Sequence, residues 1–152
     1  MNARLSENEQ ASIEFAAVSC ACFNLRKAAR AVTRQFDEAL QPSGLRSTQV
    51  VILLELARRG AIPLGQLAEA MVMDKSTLSR KLKLLRSKDL IVMKPGVGRQ
   101  KLVSISNHGI QSLREIVPLW KIAQEQFLNS FGEQGWEDIL PALTKISTAS
   151  AA

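Results

Sequence analysis

The sequence of 152 residues has no tyrosine, a single histidine and two cysteines, and these scarcities exclude whole classes of chemistry. His108 has no second histidine to share a metal or a proton, and Cys20-x-Cys22 lacks the ligand spacing of a zinc site. Two cysteines are too few for a disulfide framework. No apolar run approaches the roughly 20 residues that cross a bilayer. The start, MNARLSENEQASIEF, carries acids and polar groups where a secretory signal carries cations and an apolar stretch. PGVG is neither between a strand and a helix nor followed by Lys-Ser/Thr, so it is no phosphate loop. No serine sits in a nucleophile elbow. The expectation is a cytoplasmic protein that is not an enzyme, carries no cofactor and meets no membrane.

What is present is positive charge in one place. The formal net charge is +6. Between Lys75 and Lys101 lie nine Lys/Arg and one acid, Asp89, while the rest of the chain holds more acids than bases. Such concentration is the footprint of a nucleic-acid surface rather than of a uniformly basic protein.

The segment MDKSTLSRKLKLL lies at the heart of that region. At about 100° per residue, Leu78, Leu82 and Leu85 share one stripe, with Ser76, Arg80, Lys83 and Ser87 opposite and Thr77 and Ser79 on the shoulders. Asp74 or Ser76 is positioned to cap the helix. A shorter helix, LGQLAEAM, precedes it. The runs Leu90 to Lys94 and Lys101 to Ile105 follow, flanking Pro95-Gly96-Val97-Gly98 as a hairpin. Two short helices and a basic hairpin make a winged helix-turn-helix, whose second helix enters the major groove while the wing reaches the minor groove or phosphates.

Around this lobe, at about residues 46–106, the pattern predicts a long helix from near Ser12 to Leu40. A helix over STQVVILLELARR opens with Ser47 or Thr48 as cap, and a long helix runs from Ser106/Asn107 to Phe131. A last helix spans about Trp136 to Ile146, ahead of a frayed STASAA tail. The long helices carry surplus apolar stripes: Val18, Cys22, Leu25, Ala29, Val32 and Phe36 on the first, and Ile110, Leu113, Val117, Trp120, Phe127, Leu128 and Phe131 on the other. Residues 12–41 and 107–147 are therefore expected to be dimerisation helices, joined to the lobe in a single domain over 1–152. The fold class expected is mainly α with a small β-hairpin wing.

Several stretches resemble the MarR family of bacterial transcriptional regulators: LQPSGLRSTQVVILLEL, LAEAMVMDKSTLSRKLKLLRSKDLI, GRQKLVSISNHG and PLWKIAQEQFLNSFGEQGW. Two residues before the wing arginine, where members often carry Asp, this chain has Val97. The resemblance implies a homodimer that binds a pseudo-palindromic operator on double-stranded DNA, usually as a repressor released by an effector. The DNA-binding residues it points to are Lys75, Ser76, Thr77, Ser79, Arg80 and Lys83 on the helix, with Arg99 and Lys101 on the wing. Ser76, Thr77 and Arg80 are the base readers and the lysines the phosphate contacts.

Two switches are open. CFNLRKAARAVT resembles the first helix of the family's organic-hydroperoxide-sensing branch, which would make Cys22 the redox residue; Arg26 and Phe36 stand where that branch has tyrosines. Arg26, one turn on, favours a reactive sulfur, whereas an apolar stripe favours an inert, packed one. Placed on one continuous helix, Cys20 and Cys22 would diverge by about 200°. Alternatively Arg26 and Arg30 clamp an aromatic carboxylate effector of the kind the family commonly binds. A rival of another class is a winged-helix module that docks proteins or RNA.

Overall fold

The computed structural model describes residues 5–98 and 100–149. It forms α1 (Glu7–Ser19), α2 (Ala21–Leu40), a 3-10 turn at Gln41–Ser43 and α3 (Ser47–Arg59). Then come β1 (Ile62–Pro63), α4 (Leu64–Ala70), α5 (Lys75–Ser87), β2 (Ile91–Pro95), β3 (Lys101–Ile105), α6 (Asn107–Phe131) and α7 (Glu133–Ala149). The chain divides into two units, residues 1–34 and 35–152.

The first unit corrects the expectation of one unbroken helix from Ser12 to Leu40. The chain leaves the helix at Cys20 (φ −61°, ψ 109°) and restarts at Ala21. Cys20 starts α2 as well as ending α1. Its Sγ accepts the Phe23 amide hydrogen at 3.4 Å and its carbonyl accepts that of Asn24 at 3.0 Å. The Asn24 amide group also donates to the Val18 carbonyl, at 2.9 Å. Ser6 opens α1 through a reciprocal capping box with Glu9. Residues 5–31 are exposed throughout in the single chain.

In the second unit, β3 pairs antiparallel with both β1 and β2, in the order β1-β3-β2. The hairpin was legible from two β-rich runs around a Pro/Gly-rich turn, although Pro95, expected in that turn, ends β2 opposite Lys101; β1, two residues long and containing Pro63, is a strand the sequence reading lacked. The sheet and α3, α4, α5 and α6 enclose one core in which Leu40, Ile52, Leu53, Leu56, Leu67, Leu78, Leu82 and Leu85 are fully buried. Phe36 and Trp120 meet at its edge, with ring centroids 6.4 Å apart. Neither Ser47 nor Thr48 caps α3. Arg46 is its N-cap, with Gln49 accepting the Arg46 amide hydrogen and Asp37 accepting that of Ser47.

On α6, Gly109, Leu113, Ile116 and Ala123 are buried, while Ile110 and Phe131, on the stripe assigned to dimerisation, are exposed in the single chain. Ser106 is the cap, as the pattern allows. The last helix begins three residues earlier than expected and continues through part of the tail to Ala149, with Gly135 inside it. Among the described residues no helix is long and apolar enough to cross a membrane.

Candidate nucleic-acid interface

The local chemistry of α5 begins with Asp74, held in extended backbone (φ −68°, ψ 149°) ahead of the first turn. Its Oδ1 accepts the Ser76 hydroxyl at 2.5 Å and the Thr77 amide hydrogen at 2.7 Å. These donors, Ser76 first and then the Thr77 side chain and amide, hold the Asp74 carboxyl well below the usual carboxylate range. The anion is therefore a permanent cap at neutral pH, and it neutralises part of the positive field at the helix start. It also fixes what Ser76 can offer. With its proton directed to Asp74, Ser76 presents lone pairs outward and serves as an acceptor.

Three leucines seat the helix. Leu78, Leu82 and Leu85 are each 0% exposed, which fixes the rotation of α5 and leaves Ser76, Ser79, Arg80, Lys83 and Ser87 in solvent. Arg80 Nη2 donates to Thr77 Oγ1 at 3.3 Å, so the two candidate readers are coupled across one turn. Thr77 itself is half-buried, which sets it back from the outermost face. Lys75 is exposed, and its Cε lies near Gly65 of α4, where an added Cβ would stand 3.6 Å away. Lys81 turns aside towards α3, its Nζ 3.5 Å from Thr48 Oγ1.

The turn between α4 and α5 is tight. The Met73 amide donates to the Ala68 carbonyl at 2.9 Å, and Val72 takes a left-handed φ of 49° that a β-branched residue seldom adopts. At the far end of α5, Asp89 (φ 55°) reverses the chain. Ser106 then stitches the turn to α6: its Oγ donates to the Asp89 carbonyl at 2.6 Å and accepts the Gly109 amide hydrogen at 2.9 Å, while its amide donates to the Leu90 carbonyl at 3.0 Å. The end of the basic helix and the start of α6 are thus one hydrogen-bonded junction.

In the wing, Pro95 faces Lys101 across the hairpin, and the Gly96 amide donates to the Gln100 carbonyl at 2.8 Å. Gly98 supplies the left-handed residue of the tip (φ 66°). Lys94, Val97 and Lys101 are exposed. Arg99 lies outside the described residues. The wing follows α5 directly, so the cationic helix and the cationic hairpin belong to one lobe.

The effector and redox candidates named from the sequence belong to the first unit. Arg26 and Arg30 are exposed on successive turns of α2. Cys22 is exposed in the first turn of α2, and Cys20 is exposed at the helix break. A cavity of about 580 Å³ lies beside the α5–α6 junction, lined by Lys88, His108 and Glu115 together with Leu45, Leu90 and Ile116. Nothing in the sequence pattern marked this cavity.

Comparisons with known proteins bear on this geometry. The MarR family model matches residues 45–95, from the start of α3 through β2. The M. tuberculosis transcriptional regulator MosR, solved in complex with DNA, is 29% identical, with a TM-score of 0.79 over 87% of this chain and 96% of that chain. A probable transcriptional regulator from Pseudomonas aeruginosa is 26% identical, with a TM-score of 0.75 over 84% of this chain and 97% of that chain. CouR from Rhodococcus jostii RHA1, solved with p-coumaroyl-CoA bound, shares the fold at 18% identity and a TM-score of 0.74, over 86% of this chain and 93% of that chain. A comparison with curated protein sequences finds no match.

Proposed function

We propose that this MarR-family winged-helix chain acts as a homodimeric, sequence-specific transcriptional regulator, with α5 of each subunit in the major groove of one half of a pseudo-palindromic operator. The observation that carries the reading is the division of α5 into a leucine face that is wholly buried and an opposite face of exposed hydroxyls and cations. A helix so seated cannot rotate, so the face it offers to duplex is fixed. In this reading Ser76, Thr77 and Arg80 read bases. Lys75, Ser79 and Lys83 hold phosphates, and Lys94, Arg99 and Lys101 serve the wing. MosR, solved on DNA, supports the assignment through its shared fold and its 29% identity.

The dimer is supported by apolar side chains left in solvent in the single chain. Phe15 is 74% and Val18 73% exposed on α1, and Ile139, Leu140 and Ile146 are exposed on α7. Covering such surface yields roughly 25 cal/mol per Å², and patches of this kind mark interaction surfaces. In the same reading the regulator represses and is released by a small organic anion. The cavity sets Lys88 and His108, with Glu115 beside them, against apolar side chains that suit an aromatic ring, and CouR, on the same fold, is solved with p-coumaroyl-CoA bound. Arg26 and Arg30 are the other candidate clamp.

Selection of genomic DNA by the purified protein tests the reading. The expected result is a footprint of two symmetric halves spaced by about one helical turn, near 34 Å, with affinity falling steeply as salt rises. A single asymmetric footprint, or duplex affinity no higher than that for unrelated RNA, would instead identify a docking module. A second reading, thiol sensing through Cys22, is favoured by the exposure of both thiols at the α1–α2 break.

A further inference from the structure

We infer that Leu84 is a specificity-determining residue of α5, making an apolar contact with the C5-methyl group of a thymine in each operator half-site. The inference rests on the DNA-reading function proposed above and adds to it a residue class that function does not use.

Four leucines lie on α5, and three of them are 0% exposed. Leu84 is 56% exposed and takes no part in the packed core. Helical phase places it about 40° from Arg80 and about 60° from Ser87, on the flank of the face that carries the proposed base readers. From Ser76 to Leu84 the helix rises about 12 Å, comparable to the width of the major groove, about 12 Å. Contacts to both residues thus fit one passage of the helix through the groove.

A leucine gives nothing to a phosphate. Along the edges of the bases in the major groove, the apolar feature is the thymine methyl, which side chains of this kind contact. The surrounding exposed groups, Arg80, Lys83 and Ser87, end in polar or charged atoms suited to phosphates and polar base edges, so Leu84 is the side chain of this flank suited to a methyl group. The cations carry the helix to the backbone; the leucine discriminates at one base pair.

The test uses the full-length dimer and an operator recovered by selection. Each thymine is replaced in turn by deoxyuridine, symmetrically in both half-sites, and affinity is measured for wild type, Leu84→Ala and Leu84→Met. At one thymine position, methyl removal is expected to weaken wild-type binding by about fourfold per half-site, the equivalent of one methyl-sized group left in water. The same removal should change Leu84→Ala by less than about twofold, while Leu84→Met keeps the sensitivity. The salt dependence of Leu84→Ala should match wild type, because no phosphate contact is lost. Identical deoxyuridine profiles for wild type and Leu84→Ala would overturn the inference and leave the regulator reading intact. Wild-type protein indifferent to duplex would overturn both.

Discussion

The carboxylate of Asp37, near the end of α2, accepts the Ser47 amide hydrogen at 2.7 Å and the Arg46 guanidinium at 3.3 Å, and so caps α3 from ten residues back. The contact lies within the second unit and fixes the turn through which α2 hands the chain to the winged-helix lobe. It supplies an acceptor that neither Ser47 nor Thr48 provides.

Removing that acceptor by Asp37→Ala should destabilise the protein by about 1 kcal/mol, in the range of lost helix caps. Partial burial pushes the Asp37 carboxyl up, but the Ser47 amide and hydroxyl, with the Arg46 charge, outweigh this and hold it below its ordinary value. A carboxyl whose folded value is depressed stabilises the fold above its unfolded value, near 4, and loses that contribution as pH falls through the folded value. Denaturant unfolding should therefore show a constant gap between wild type and variant from pH 7 to 5. The gap should narrow below about pH 4. A gap that widens in acid would contradict the assignment.

Gly109 gives a sharper case. A Cβ there would be driven into the Leu90 carbonyl oxygen and against Ile105 Cγ1, in the same junction that Ser106 stitches. Gly109→Ala should cost about 1–3 kcal/mol, the range for overpacking a closed site, despite alanine's higher helix propensity. Thermal unfolding measures the loss. A variant as stable as wild type would show that the α5–α6 junction opens freely, and its coupling of helix to helix would fall with it.

Arg80 is the residue whose loss should change discrimination rather than grip alone. Arg80→Ala should weaken operator binding by about 1–3 kcal/mol if the guanidinium reads a base with two hydrogen bonds, and should lower the ratio of specific to random affinity. Lys83→Ala should weaken both sequences alike and reduce the salt slope by about one. Titrations of operator and scrambled duplex at two salt concentrations separate the two roles. Matching losses for the two variants would remove the distinction drawn between reader and phosphate contact.

The α5 stripe was legible in the sequence because three leucines at helical spacing have one burial solution, and the hairpin because two β-rich runs flank a Pro/Gly-rich tip. The break at Cys20 was not legible. The stretch AAVSCACFN holds no glycine or proline, and the helix ends instead through a sulfur cap and the Asn24 side chain, which engages carbonyls on both sides of the break. The close packing of Gly109 against the Leu90 carbonyl was hidden for a different reason, because it joins residues of separate elements. The Asp37 cap and the cavity beside Lys88 also depend on residues from separate elements, which periodicity within one element does not connect. Arg99, legible as a wing cation, lies outside the described residues.

The same break makes the redox reading testable. Because Cys20 leaves the helix, the divergence expected of two cysteines on one continuous helix does not apply, and both thiols stand in solvent in the single chain. Cys22 attack on a hydroperoxide would give the sulfenic acid and release the alcohol. Limiting organic hydroperoxide should then add one oxygen to the Cys22 peptide and weaken operator binding at least severalfold, with Cys22→Ser holding DNA undisturbed. Mass spectrometry and a DNA titration on the same sample decide it. Cys22 modified while operator affinity is unchanged would make the oxidation incidental, and Cys22 unmodified would remove the redox reading.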